Sequence, residues 1–410
     1  MKMSNMAGMT HNRAKSGIMK RIKQIIQLML LLATSSNHVW AAITCKPFSA
    51  AIPRTDTVQL APATISTGAD MPDGTIIYQG KWLGGGSGES QISCTSNLGA
   101  ADVLTYNYAT LLNSTPRPLS NWSGSPFGGA VFETNVPGIG VAISRGTTLG
   151  VIKQGLPEYS FINQTDALPV GGFAYAVTFP TRYISLIKIG ELTPGSYTLK
   201  AADLPSIKLF FDNPSNGINV IGFPITTNII QFQGQLTITT KTCVTPDVNV
   251  DMGSHEMRTS FTGEGSVTSW RDASIVLANC PTFFGYYSNN NNITLFDYDT
   301  GGGSVIPNST NNNVGVRLTP STSVIDSAAG IMSIDRSVPN AASGVGIQLG
   351  WGSHSGSPAL FDFATEKLFQ LPKDGRSEIR IPLAARYIQT DTMMAPGRAV
   401  GKAVFLINYY

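Results

Sequence analysis

Residues 401–410, GKAVFLINYY, form the stretch that decides the fold. Every second residue from Ala403 to Tyr409 is apolar or aromatic, and a period of two places these side chains on one face of a β-strand. A valine and a leucine lie between them, so the opposite face is not fully polar either. An apolar strand at the edge of a sheet aggregates unless another strand pairs with it. The stretch predicts either an ordinary terminal strand of a sandwich or an edge that needs a partner.

The same alternation recurs upstream and predicts an all-β chain. Only 13% of the 410 residues are charged, against about 25% in an average soluble domain, which disfavours a helical bundle. The 42 glycines and 24 prolines favour many short strands joined by turns. The alternating runs are Phe173–Phe179, Ile230–Ile238, Val345–Trp351 and Ile379–Tyr387. Pro382 interrupts the last of these and indicates an edge or a bulge.

The N-terminal segment 1–41 has the organisation of an export signal. Basic residues at 20–23 precede a short apolar run at 25–33, and the segment ends in Val39-Trp40-Ala41. The apolar run is shorter than the roughly 20 residues of a membrane span, which disfavours the alternative of a membrane anchor. We expect the mature chain to begin near residue 42, with translation starting at Met1 or Met19.

Charge argues against nucleic acid as a partner. Six of the 28 basic residues and none of the 25 acidic ones lie in residues 1–41, so the remainder has a formal charge of −3. A nucleic-acid-binding domain has a strong basic field, which this chain lacks.

All four cysteines, Cys45, Cys94, Cys243 and Cys280, lie in the predicted mature chain. An even number in an exported protein indicates disulfides. Three pairings are possible, and the long gap between the second and third cysteines favours Cys45–Cys94 and Cys243–Cys280. The spacing lacks the close ligand pairs of a zinc site.

One disulfide on each side of that gap indicates two domains. The boundary is expected at Thr239–Thr242, between the strand that ends near Ile238 and Cys243. This gives 42–240 and 243–410, each of the size of a β-sandwich.

Several motifs after Cys243 occur in the order found in the pilin domain of chaperone–usher fimbriae, which residues 243–410 resemble. They are Cys243-Val244, Val248–Gly253, Ile275–Cys280, Gly344–Leu349, Ile381–Tyr387, Gly397 and the penultimate Tyr409. The resemblance implies an immunoglobulin-like sandwich that lacks its last strand. A periplasmic chaperone would lend a strand, and at the outer-membrane usher the N-terminal extension of the adjacent pilus subunit would replace it. The residues implied at this contact are Ala403, Phe405, Ile407, Tyr409 and Tyr410, the last through its carboxylate.

The resemblance also implies a position in the fibre. Only Ala42-Ile43-Thr44 separate the predicted cleavage site from Cys45, which is too short for a donor strand. A subunit that accepts a strand but donates none lies at the fibre tip. Residues 42–240 would then be the receptor-binding domain of a two-domain tip adhesin, exported through the periplasm to the bacterial surface.

Residues 131–143, VFETNVPGIGVAI, resemble a segment of the type 3 fimbrial adhesin. Relatives of that branch suggest an extracellular-matrix protein such as collagen as the receptor, whereas other branches suggest a host glycan. Sugar sites combine an aromatic face with amides or arginine. Arg117, Asn121 and Trp122 have this composition in a turn-rich segment, and Trp82 is a second candidate. For each tryptophan the alternative is a buried core position.

Two other functions stay open. The short segment before Cys45 fits a minor structural or initiator pilus subunit equally well. A secreted β-rich hydrolase would need His255 or His354 in a Ser-His-Asp triad, and neither lies in a nucleophile motif. We expect no enzymatic activity, no cofactor and no metal.

Overall fold

The structure is a computed structural model that describes residues 42–84, 91–97, 101–171, 174–176, 181–217 and 219–410. The predicted signal peptide 1–41, with its two candidate starts, lies outside these residues. The same holds for Phe173, Val177 and Phe179 of the first predicted strand run.

Up to residue 240 the described chain is built from short β-strands and a single 3-10 turn at Ala201–Asp203. In order, the strands are β1 (Ile43–Pro47), β2 (Arg54–Gln59), β3 (Thr64–Ser66), β4 (Ile76–Leu83), β5 (Ile92–Ser96), β6 (Asp102–Ser114), β7 (Phe132–Glu133), β8 (Ile139–Ser144), β9 (Glu158–Leu168), β10 (Ala174–Ala176), β11 (Thr181–Lys188), β12 (Ser196–Lys200), β13 (Ser206–Asp212), β14 (Ile225–Gln233) and β15 (Gln235–Thr239).

The rest of the chain continues this pattern, with one turn of α-helix, α1 (Met257–Ser260), and a 3-10 turn at Tyr298–Thr300. Its strands are β16 (Arg271–Asp272), β17 (Ile275–Leu277), β18 (Ile293–Asp297), β19 (Asn313–Pro320), β20 (Val324–Asp326), β21 (Ile331–Ser333), β22 (Val345–Trp351), β23 (Ala359–Leu360), β24 (Lys367–Gln370), β25 (Ile379–Ile381), β26 (Leu383–Gln389) and β27 (Ala403–Tyr409). The prediction of an all-β chain is confirmed. None of the described residues forms a helix with the length and hydrophobicity of a membrane span.

Two five-stranded sheets supply the larger core. Their strand orders are β18-β4-β11-β8-β7 and β2-β14-β13-β6-β9. Tyr78 and Phe132 from the first sheet and Tyr108 and Phe211 from the second are almost fully buried in one hydrophobic cluster. Three-stranded sheets with orders β1-β5-β10 and β12-β15-β3 complete this half.

The second half contains a six-stranded sheet and two smaller ones. The main sheet has the order β16-β26-β22-β21-β20, with β23 also paired to β22. The others are β17-β25 and β24-β19-β27. Val314, Val316, Phe361 and Leu371 lie at the centre of its core, which is separate from the first.

Two of the predicted runs are each divided between sheets. Gly234 has a φ of +85°, a conformation that glycine adopts readily, and it separates β14 from β15. Pro382 has no N–H to donate, so the ladder stops there. As a result β25 pairs with β17, whereas β26 pairs with β22.

One strand of the second half completes a sheet of the first. β18 pairs in parallel with β4, and Ile293 and Leu295 on it are buried in the first core. Tyr287 forms a bridge to Tyr78 in the same region. Residues beyond 243 therefore contribute to both cores, and the division into 42–240 and 243–410 stays a prediction.

Both pairs of cysteines are joined in the structure. Cys45 and Cys94 lie directly opposite each other on β1 and β5 and are disulfide-bonded. Cys243 and Cys280 are bonded as well, next to the bridge between Val244 and Ala278. The first bond ties β1 to β5, and the second ties the start of the second half to the segment that follows β17.

Candidate strand-acceptor groove

The outer edge of β27 is open. β27 pairs antiparallel with β19 along one side, from Pro320 opposite Ala403 to Val314 opposite Tyr409. On its other side no strand of the described residues is paired with it. The strand therefore forms the edge of a three-stranded sheet.

The main-chain groups of β27 alternate between its two sides. Asn313 and Tyr410 exchange hydrogen bonds in both directions, at 2.8 and 3.0 Å. Adjacent residues of a strand direct their N–H and C=O groups to opposite sides. The main-chain groups of the even-numbered residues therefore bond to β19. The odd-numbered residues from 403 to 409 direct their N–H and C=O groups to the open side.

An apolar groove of about 730 Å³ runs along this open side. Ala403 and Phe405 of β27 form one wall, and the segment 247–253 forms the other. The floor consists of apolar side chains from several strands. They are Ile275, Leu318, Met332, Ile347, Leu349, Leu383 and Ala385.

The opposite wall is extended but unpaired. Residues 246–250 belong to no strand, and they make no main-chain hydrogen bond to another main-chain group in the described part of the chain. Val248, Val250 and Met252 are partly buried and pack against the second-half core, while the residues between them are exposed. The groove is thus flanked on both sides by backbone available for pairing.

The end of β27 is held by Tyr409, which is only 6% exposed. Its ring stacks on Phe283 with centroids 6.5 Å apart, and its hydroxyl accepts a hydrogen bond of 3.0 Å from the N–H of Cys243. Burial raises the pKa of the Tyr409 hydroxyl, which keeps it neutral. This side chain anchors the strand beside the second disulfide.

Tyr410 is fixed by polar contacts. Its hydroxyl donates to Oε2 of Glu366 at 3.0 Å, and its main-chain carboxylate oxygen accepts from Nδ2 of Asn312 at 3.3 Å. Asn408 donates to Oε1 of the same glutamate at 2.7 Å.

The structure separates the two faces of β27. Ala403, Phe405 and Ile407 are partly buried and pack towards the second-half core, whereas Val404 and Leu406 are 57% and 55% exposed. Ala403, Phe405 and Ile407 therefore share one face of the strand with Tyr409, whereas the main-chain groups of Tyr410 pair with Asn313 of β19. Their contact with another chain stays a prediction.

The candidate receptor residue Trp82 lies in the core. It is 3% exposed, and its Nε1 donates to Oδ2 of Asp56 at 3.0 Å. Arg54 holds the same carboxylate at 2.9 Å. Trp82 therefore has no free face for a ligand. It lies in a buried core position, which was the alternative to a role in receptor binding.

The other three candidates lie in one surface segment but have different neighbours. Arg117 is paired with Asp203 at 3.3 Å, and Asn121 is exposed. Trp122 is half-buried, with Nε1 donating to the carbonyl of Pro126 at 2.9 Å. Asn121 is thus the most accessible polar group of the three.

Two features of the groove region were not predicted from the sequence: the position of residues 247–253 as its second wall, and the contact of Asp70 with Tyr409. The alternation of Val248, Val250 and Met252 is a strand signal that marks the second wall. Asp70, in the first half of the chain, contacts Tyr409, and no local sequence pattern predicts that contact. No group of three or more His, Cys, Asp or Glu side chains within the described ranges is placed to hold a metal ion.

No protein-family model matches the sequence, and no curated protein matches it. Among solved structures, the CupB6 tip adhesin from Pseudomonas aeruginosa is similar at 14% identity and a TM-score of 0.30, over 90% of this chain and 94% of that one. The receptor-binding domain of the plasmid-borne adhesin MrkD1P of Klebsiella pneumoniae is similar at 15% identity and a TM-score of 0.28, over 50% of this chain and 99% of that one. The P pilus rod subunit PapA is similar at 18% identity and a TM-score of 0.28, over 41% of this chain and 99% of that one.

Proposed function

We propose that this chain is the tip adhesin of a chaperone–usher fimbria and attaches bacteria to a host glycan or an extracellular-matrix protein. The observation that carries the proposal is the open edge of β27 beside an apolar groove whose far wall, residues 246–250, is also unpaired. The second half is then an immunoglobulin-like pilin fold that accepts its last strand from another polypeptide.

Strand addition follows from the chemistry of the groove. An incoming strand pairs with the main-chain groups of Ala403, Phe405 and Ile407, and every second side chain enters the apolar groove. Burying one such side chain contributes about 1.5–3 kcal/mol, so several together exclude water and hold the strand firmly. A periplasmic chaperone supplies this strand first, and the N-terminal extension of the adjacent pilus subunit replaces it at the outer-membrane usher.

The beginning of the first half supports an accepting subunit. Residues Ile43–Pro47 are strand β1, which pairs with β5 and is bonded to it through Cys45 and Cys94. This segment is committed to its own sheet and is not free to enter the groove of another subunit. Such a subunit belongs at the tip of the fibre, on the bacterial surface.

Receptor contact is proposed for the surface segment that holds Arg117, Asn121 and Trp122. Asn121 offers an exposed amide, and the next residue is the half-buried Trp122. Amide groups bind sugar hydroxyls, and aromatic faces pack on sugar C–H groups.

The test uses residues 42–410, secreted into an oxidising compartment without a fimbrial chaperone. One form ends at Tyr410, and the other continues through a flexible linker into a donor strand of alternating valine and threonine. We expect the second form to be monomeric, with a higher melting temperature, and the first to aggregate. A donor shifted by one residue turns its polar side chains into the groove and serves as the control. A stable monomeric first form whose melting temperature the donor leaves unchanged would overturn the proposal.

A minor structural or initiator subunit is the second candidate, favoured by the burial of Trp82 in the core. The donor-complemented chain, applied to arrays of glycans and matrix proteins, separates the two. Binding that is weakened by Asn121→Ala supports an adhesin, and the absence of binding to any array supports the structural role.

A further inference from the structure

The first half of the chain closes one end of the open edge. The N–H of Asp70 donates to the carbonyl of Tyr409 at 3.0 Å, and Oδ2 of Asp70 accepts from the N–H of Tyr409 at 2.7 Å. A residue of a neighbouring antiparallel strand makes the same two-way exchange with its partner. Asp70 therefore occupies the pairing position that a strand would take at Tyr409.

The loop that carries Asp70 is held very close to β27. We call residues 66–70 the clamp loop. A Cβ built on Gly68 would lie 1.9 Å from the carbonyl oxygen of Tyr409, so a side chain there cannot be accommodated without movement. At the base of the loop, Ser66 donates its N–H to the carbonyl of Gly285 at 2.9 Å, and its hydroxyl accepts from the N–H of Phe284 at 3.0 Å.

The remaining positions of the edge are open. The main-chain N–H and C=O groups that Ala403, Phe405 and Ile407 direct to the open side make no hydrogen bond to another main-chain group of the described residues. Both of the corresponding groups of Tyr409 are hydrogen-bonded to Asp70. The space beside the strand is lined by both halves, including Asp70, Lys188 and Glu191 from the first.

We propose, on the basis of the proposed function, that the clamp loop competes with an incoming strand for Tyr409. A strand that ends opposite Ile407 leaves the two halves docked. A strand that continues to Tyr409 displaces Asp70 and releases the loop. The partner is an extended segment of another polypeptide with alternating apolar residues, and its length determines whether the first half stays attached to the edge.

The test compares two donor-complemented forms of residues 42–410 that differ only in donor length. The short donor spans the positions opposite 403–407, and the long donor spans those opposite 403–409. Hydrogen–deuterium exchange, measured by mass spectrometry, is followed in residues 66–72 and in β27. We expect β27 to be protected in both forms. We expect residues 66–72 to exchange at least tenfold faster with the long donor.

Glycine variants provide matched controls in the short-donor form. Gly68→Ala forces the loop away from Tyr409, so residues 66–72 should exchange at the rate of the long-donor form while β27 stays protected. Gly190→Ala places a methyl group no closer than 3.7 Å to any atom outside its neighbours and should leave exchange unchanged. Equal exchange in residues 66–72 for both donors, with β27 protected in both, would overturn the competition but not the strand-acceptor function. If neither donor protects β27, both proposals fail.

Discussion

Leu295 packs so closely on Gly80 that a Cβ built on the glycine would lie 2.3 Å from Cδ1 of the leucine. Gly80 belongs to β4 and Leu295 to β18, which pair in parallel at the edge of a first-half sheet. Leu295 is 2% exposed. The absence of a side chain at position 80 leaves the space that Leu295 fills, and a residue far along the sequence becomes part of the first core.

Leu295→Ala should therefore weaken the first core. Removing a buried leucine costs about 2–5 kcal/mol, because the lost contacts leave a cavity. Urea denaturation followed by far-ultraviolet circular dichroism measures this loss. Val324→Ala, at a position 46% exposed, is the control and should change stability by less than about 0.5 kcal/mol. A loss no larger for Leu295→Ala than for the control would mean that β18 is not docked in solution.

Trp82→Phe should lower stability and leave receptor binding intact. The change removes the donor to Asp56, a carboxylate that is 5% exposed, and a buried acceptor that loses a partner costs about 1–3 kcal/mol. Asn121→Ala should leave stability unchanged and weaken receptor binding, because that side chain is exposed. Denaturation curves and binding to an array-identified ligand, measured on both variants, check this. Reduced binding by a fully folded Trp82→Phe variant would show that Trp82 contributes to receptor binding.

Removal of the first disulfide should destabilise the half that it closes. In the loop-entropy model, Cys45→Ser combined with Cys94→Ser costs about 3–4 kcal/mol. The matched pair Cys243→Ser with Cys280→Ser should have an effect of similar size on the second core. Scanning calorimetry measures the unfolding transitions of each variant. Limited proteolysis between two transitions shows which half has unfolded, and so assigns each loss of stability to one half. A first-half transition unchanged by the loss of Cys45–Cys94 would contradict the expectation.

Local patterns predicted the terminal strand and several others, but not the division of the run Ile230–Ile238 at Gly234. The period of two in residues 403–409 predicted β27, because alternation directly encodes which side chains share a face. Pro382 predicted an edge or a bulge, since it lacks the N–H that a ladder needs, and in the structure the chain changes sheets there. These features depend only on neighbouring residues.

Pairings between distant segments could not be predicted in the same way. Ile293 and Leu295 lie two residues apart, as the buried residues of any half-buried strand do, and nothing in that spacing specifies β4 as the partner. Asp70 contacts Tyr409 only because the two halves fold against each other. The aromatic and polar composition around Trp82 fits a sugar site and a buried core equally, because composition does not report exposure.

Phe405→Asp should weaken the capture of a strand by the groove at least tenfold. Phe405 lines the groove and packs against the second-half core, so a carboxylate at this position would be buried without a partner when a strand is added. Loss of one buried aromatic side chain alone removes about 1.5–3 kcal/mol, which is a decrease of at least tenfold in affinity. The measurement is the dissociation constant of the alternating donor strand, supplied as a separate peptide at a series of concentrations while the full chain refolds, so that free chain does not accumulate and aggregate.

Leu406→Asp is the matched control for this change. Leu406 is the next residue of the same strand, 55% exposed, and opposite Arg317 on β19. A carboxylate there remains in water and beside a guanidinium, so the donor should bind within about twofold of the parent chain. If both variants bound the donor equally well, the groove side of β27 would not be the side that receives the strand. If both failed equally, the loss would reflect damage to β27 itself, because only the side of the strand distinguishes the two substitutions.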